Sequence, residues 1–221
     1  MEVLVVFTSF ISEIMHLILH LDQTLTVWVE WMGPWLYLVM FLIIFAETGL
    51  VVTPFLPGDS LLFALGALAA LGNGIQVEVM LPLLIVAAII GDSLNYWIGS
   101  KMGPAVFKQE DSRFFKRSHL LKAQAFYDRY GAKAIILGRF VPIVRTFVPF
   151  VAGIGTMRYR SFIISNVAGA IVWISIFMIA GYYFGNLPAV KTNFHIVIFG
   201  VIGVSVLPII IEYVRLRFKR A

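Results

Sequence analysis

The 221-residue chain is 60% hydrophobic, carries 13% charged residues and has a mean hydropathy of +0.92. A water-soluble domain has about a quarter of its residues charged, so this composition excludes one and defines an integral membrane protein. The absence of cysteine removes disulfides, metal thiolates and thiol chemistry. The net charge of +5 is unevenly spread: none of the 17 Lys and Arg lies in residues 1–100, where eight of the 12 acids fall. Lys/Arg excess marks cytoplasmic segments, so 101–133 and the tail with Arg215, Arg217, Lys219 and Arg220 are expected in the cytoplasm. These clusters flank apolar runs. They read as topology and lipid-headgroup contacts, and no nucleic-acid partner is expected.

Residues 1–30 admit two readings. Glu13, His16 and His20 share one face at helical spacing, which suits a helix lying in the interface as well as one that spans. With no basic n-region and no small-residue cleavage site, a cleaved signal peptide is not expected. Trp28, Trp31 and Trp35 around Gly33-Pro34 form an aromatic belt.

A first unit covers 31–103. The apolar run 36–46 is shorter than the roughly 20 residues a span needs. It meets Glu47 and the irregular stretch Pro54, Pro57-Gly58-Asp59, and then 60–71 runs back. This spacing predicts a re-entrant loop over 35–72. Residues 79–98 are long enough to cross, and Gly91, Gly99 and Gly103 allow close helix approach. Asp92 is either a member of a polar cavity or a local hydrogen-bond partner of Asn95.

A second unit covers 104–185. Its basic, aromatic part, 104–133, suits an amphipathic helix on the cytoplasmic membrane surface. A second re-entrant loop is predicted over 134–157, because Pro142 breaks the helix between Arg139 and Arg145, and Lys133, Arg158 and Arg160 flank it. Residues 161–185 then cross outward. The remainder, 186–221, reads as a short external loop, a last span and the basic tail. The halves share one plan in opposite orientations: interface helix, dipping loop, full span. The expected fold is an all-α polytopic membrane protein of inverted repeats, with two re-entrant helical hairpins plus transmembrane helices.

The charges inside the loops carry the functional reading. An arginine near the bilayer centre costs about 2.5–3.5 kcal/mol, so it is retained for a cavity, a counter-ion or an anionic ligand. If the loops approach from opposite faces, Glu47 and Asp59 of the first meet Arg139 and Arg145 of the second. The guanidinium fork matches phosphate oxygens. Nearby carboxylates serve as counter-ions when the site is empty and as proton carriers when it is occupied. Arg139 and Arg145 are therefore the candidate phosphate ligands of a phosphorylated amphiphile, and Glu47 and Asp59 the proton-coupling acids. Asp92, Pro54, Pro57, Gly58 and Pro142 are supporting candidates. The competing reading makes these charges structural salt bridges that hold the loops together.

His16, His20, His119 and His195 lie away from the loops, so no metal site, cofactor or catalytic residue is expected and the chain does not read as an enzyme.

Several motifs together resemble the bacterial DedA family, relatives of the eukaryotic VTT-domain proteins. They are Phe45-Ala46-Glu47-Thr48-Gly49, Pro54-x2-Pro57-Gly58-Asp59-Ser60, Gly91-Asp92-x3-Tyr96-x2-Gly99-x3-Gly103, and Gly138-Arg139-Phe140-x-Pro142-x2-Arg145 with Ala152-Gly153. The resemblance runs from about residue 30 to 185. It implies a bacterial inner-membrane protein that returns undecaprenyl phosphate across the membrane at the expense of the proton gradient. It also implies that the family's essential acids fall on Glu47 and Asp59 and its essential arginines on Arg139 and Arg145. The alternatives are a broad phospholipid scramblase, a proton-coupled cation or drug transporter, and a membrane assembly factor. Dependence on the gradient separates a coupled carrier from a scramblase.

Overall fold

The computed structural model describes residues 31–50, 58–72, 74–102, 117–141, 144–155 and 157–188, with Val27, Val29 and Val190 besides. The readings made for 1–26, Pro54, Pro57, Pro142 and 191–221 lie outside these residues. The described residues contain seven helices and no strand: α1 (Trp35–Gly49), α2 (Gly58–Ala70), α3 (Val77–Met102), α4 (Arg117–Tyr130), α5 (Lys133–Gly138), α6 (Val144–Ile154) and α7 (Tyr159–Gly185). At 1.5 Å per residue, α3 (26 residues) and α7 (27 residues) reach about 40 Å. Both are long and apolar enough to cross a hydrocarbon layer. They contain the expected spans 79–98 and 161–185.

Shorter helices fall within the stretches of the two predicted loops. α1 and α2 flank the first, and α5 and α6 flank the second. The second break falls at Arg139: Phe140 and Val141 close turns onto Leu137 and Gly138, and the Arg145 amide returns to the Val141 carbonyl at 3.0 Å. Arg139 thus follows one helix end and Arg145 opens the next helix.

The chain packs as two compact units, one of Tyr37–Gly58 and Glu78–Phe177, the other of Met1–Leu36, Asp59–Val77 and Met178–Ala221. In the first, α4 lies on α6. Leu120 and Ala123 are buried with Phe147, Phe150 and Val151, and Phe126 and Tyr127 pack against the same cluster. The segment expected on the membrane surface therefore spends its inward apolar face on protein. Gly131 (φ +57) ends α4, with its amide on the Tyr127 carbonyl at 2.7 Å, a left-handed conformation that favours glycine.

Two helix crossings in this unit require absent side chains. A Cβ on Gly91 would strike Thr48 of α1. One on Gly99 would strike the Phe150 carbonyl, and one on Gly153 the Tyr96 carbonyl. Small residues let backbones approach closely where apolar burial cannot drive helices together. In the other unit, α2 meets the end of α7 in the same manner: Gly66 faces the Met178 carbonyl and Gly181 the Phe63 carbonyl.

The first unit buries a cluster of polar side chains and exposes large apolar ones. Glu47, Thr48, Asp92, Asn95, Arg139, Thr146 and Asn166 are buried, whereas Val86, Ile90, Trp97, Ile164, Ile171 and Ile176 are exposed. Charged residues are almost never fully buried unless paired. Apolar flanks around a polar interior suit lipid as the surrounding medium.

Candidate functional site

The buried polar side chains converge on the second helix break. Arg139 (5% exposed) donates through Nη2 to Asp92 Oδ2 at 2.5 Å and to Asn166 Oδ1 at 2.6 Å, and Asp92 is itself only 3% exposed. Arg145 pairs with Glu47 Oε1, which also accepts the Gly58 amide at 3.1 Å. The acid from α1 is therefore held by a second-loop arginine and by the first amide of α2. A helix N-terminus favours such an anion. Gly58 leaves room for this acid, since a Cβ there would overlap the Glu47 carboxylate and displace it.

Trp173 of α7 lies beneath both arginines. The Arg145 guanidinium carbon is 4.8 Å from the indole centroid and that of Arg139 is 5.6 Å away, within range of a cation–π attraction. The charges are spread over two carboxylates, an amide and an aromatic face, which is how buried ions survive outside water.

Asn95 (fully buried) ties the two breaks together. Its Nδ2 donates to the Thr146 carbonyl at 2.7 Å and to the Thr48 carbonyl at 3.2 Å. Thr48 follows Glu47 and Thr146 follows Arg145, so one side chain of α3 positions both members of that ion pair. Asn166 is anchored in turn, with Nδ2 on the Ile89 carbonyl at 3.0 Å. Gly169 lets Arg139 pass, because a Cβ there would come within 3.0 Å of Nε.

Glu47, Thr48, Asp92, Arg139, Arg145, Thr146 and Trp173 line a small polar void with room for about one water molecule. Two buried polar atoms here, Asn95 Oδ1 and Arg139 Nε, make no hydrogen bond among the described residues. No group of three or more His, Cys, Asp or Glu suited to a metal occurs among those residues.

Of the residues singled out from sequence, Arg139, Arg145, Glu47, Gly58 and Asp92 come together. Asp92 takes the cavity role, and Asn95 bonds the two main-chain carbonyls. Asp59 lies in the first turn of α2 and belongs to the other unit. The acid on Arg139 is Asp92, whereas the loop-to-loop reading had supplied Glu47 and Asp59 as the counter-ions. Asn166, Trp173 and Thr146 were not singled out, and Thr48 stood only within the motif around Glu47. Asn166 and Trp173 carried a signal, as an amide and the sole indole inside the apolar run 161–185.

Fold and site together define a class: helical membrane proteins that keep a paired-arginine cluster at interrupted helices. The VTT domain model matches residues 56–183, and the chain belongs to this family, as a DedA-family membrane protein. It is 53% identical over 205 residues to Protein DedA of Escherichia coli, covering 92% of this chain and 93% of that protein. An uncharacterized membrane protein of Mycobacterium tuberculosis is 43% identical over 180 residues, 81% of this chain and 79% of its own length. Inner membrane protein YghB of E. coli is 37% identical over 165 residues, 71% of each. No solved structure matches the chain.

Proposed function

We propose that this protein translocates a polyprenyl phosphate carrier lipid, undecaprenyl phosphate, across the bacterial inner membrane under the proton gradient, without chemical transformation of the lipid. The observation that carries this reading is the pair of Arg139, buried, and Arg145, half-buried, both over Trp173 at a break between helices. Two guanidinium groups offer the donor geometry of a phosphate monoester, and the N-terminal turn of α6, which carries Arg145 and Thr146, adds its positive dipole end. The prenyl chain stays in lipid against the apolar exterior.

In this reading the helix pairs α1–α2 and α5–α6 are re-entrant hairpins of two inverted repeats. The reciprocal glycines support it. Gly99 and Gly153 each oppose the carbonyl three residues before the other, and Gly181 and Gly66 do the same. Each span thus crosses the return helix of the opposite hairpin with one local geometry, as two copies of one unit would. The segment 101–133 and the C-terminus are cytoplasmic by their basic charge. Protons reach Glu47 and Asp59 as the site alternates.

The test is undecaprenyl phosphate flux in proteoliposomes of purified protein, with and without an imposed proton gradient, for wild type and Arg145→Ala. Flux that needs both the gradient and Arg145 supports the reading. Equal flux of both proteins without a gradient points to passive scrambling.

A second reading, a membrane assembly factor, is favoured by one observation: both arginines are engaged by acids, as a structural clamp requires. Exchanging the charges, Asp92→Arg with Arg139→Asp, separates the two. A clamp regains function in the double variant, whereas a phosphate site does not.

A further inference from the structure

We infer that Asp92 is the exchangeable partner of Arg139 and Asn166 its permanent one, so that one proton taken up by Asp92 releases Arg139 to the anion. The inference rests on the lipid-phosphate reading above and names its gate. Both partners bond the same guanidinium nitrogen, Asp92 Oδ2 at 2.5 Å and Asn166 Oδ1 at 2.6 Å. Their attachments differ. The Asn166 amide is fixed at its other end to the Ile89 carbonyl at 3.0 Å and approaches Ser93 Oγ at 3.5 Å. It has no charge to lose. Asp92 lines the polar void with Arg145 and Trp173, so it borders the space an incoming anion must enter.

That space is too small for a phosphate while both carboxylates hold the arginines, and an added anion there would sit against two like charges. The charged groups facing Asp92 are Arg139 and Arg145 from the second helix break, with Glu47 of α1 beyond Arg145. Tyr159 of α7 reaches Ser93, one residue further along α3. Protonation of Asp92 removes one of the competing charges. The Arg139 Nη2 hydrogen then turns from Asp92 Oδ2 to a ligand oxygen, and the proton remains on the carboxyl until the anion leaves. Asn166 holds the guanidinium in place throughout, while the space for the anion opens around it.

The experiment uses full-length protein in nanodiscs and farnesyl phosphate as probe, with binding measured from pH 5 to pH 8 for wild type, Asp92→Asn and Asn166→Ala. Asp92→Asn mimics the protonated acid. It is expected to bind about tenfold or more tightly than wild type at pH 8, the scale of one charge-assisted hydrogen bond, with the difference closing at pH 5. Ionisation of the probe cancels in this ratio. Asn166→Ala is expected to weaken binding at every pH. If Asp92→Asn binds more weakly than wild type throughout, or the ratio does not change with pH, Asp92 is a fixed clamp and the inference fails. Should Asp92→Asn not fold, infrared difference spectra of wild type decide: a protonated-carboxyl C=O band must appear on adding farnesyl phosphate at neutral pH, and its absence overturns the proposal. Wild type that binds no farnesyl phosphate at any pH sinks the lipid-phosphate reading itself, a result distinct from either outcome above.

Discussion

Arg145 lies over the indole of Trp173, its guanidinium carbon 4.8 Å from the ring centroid, while its hydrogen bond goes to Glu47. The guanidinium is thus held by a carboxylate and by an aromatic quadrupole. The quadrupole does not compete with a phosphate for the same hydrogens. Removing it leaves the ion pair intact but lowers the stability of a free guanidinium. Trp173→Leu is expected to reduce flux about 2- to 30-fold, the range of a desolvated cation–π contact of about 0.5–2 kcal/mol. Trp173→Phe should lose less, and proteoliposome flux reads both.

The two arginines are not equivalent. Arg139 is 5% exposed, and the Arg145 side chain is 15% exposed. Breaking a buried pair by removing one member costs about 3–5 kcal/mol, because the other charge stays buried. Arg139→Ala therefore combines loss of flux with a clear fall in thermal stability in detergent. Arg145→Ala loses flux with a smaller fall. Equal stability losses in the two variants contradict this ranking.

Asn95 is a neutral side chain that holds the carbonyls of Thr48 and Thr146. Asn95→Leu removes one hydrogen bond from each carbonyl, at about 0.5–1.5 kcal/mol each. The expected result is a lowered melting midpoint and slower flux with all four charged side chains present. Wild-type flux from Asn95→Leu shows that the tie between the breaks is dispensable.

The reciprocal glycines make a steric prediction. Gly153→Val and Gly181→Val each push a side chain into a facing carbonyl and are expected to abolish folded yield after extraction. Gly155→Ala is the control, since its Cβ comes no closer than 3.4 Å to any neighbour, and it should extract as wild type. If the repeats are equivalent, the first two variants fail alike by size-exclusion chromatography.

Much of this arrangement was legible in local chemistry. Apolar run length marked 79–98 and 161–185 as spans, and both sit inside long helices. Pro142 between two arginines marked a helix break, and the flanking helices stop and restart around it. Arg139, Arg145, Glu47 and Gly58 announced themselves as charges or tight turns within apolar sequence. Asp92 stood open between two roles, because its neighbours in sequence supply a local partner while its true partner lies 47 residues away. Asn166 and Trp173 were passed over for a related reason. Inside a span, an amide and an indole are common enough to need no ligand, and only their partners distinguish them.

The sequence by itself determined the medium, the two long spans, the second helix break and the family, because hydropathy, proline, glycine and charge act over a few neighbouring residues. Only the tertiary structure decided which acid holds which arginine, that Asn95 joins the breaks, and that Trp173 lies beneath both guanidinium groups. Pairing in a buried cluster depends on distances across helix crossings, set by glycines at 91, 99 and 153. Those crossings bring together residues that no local spacing relates.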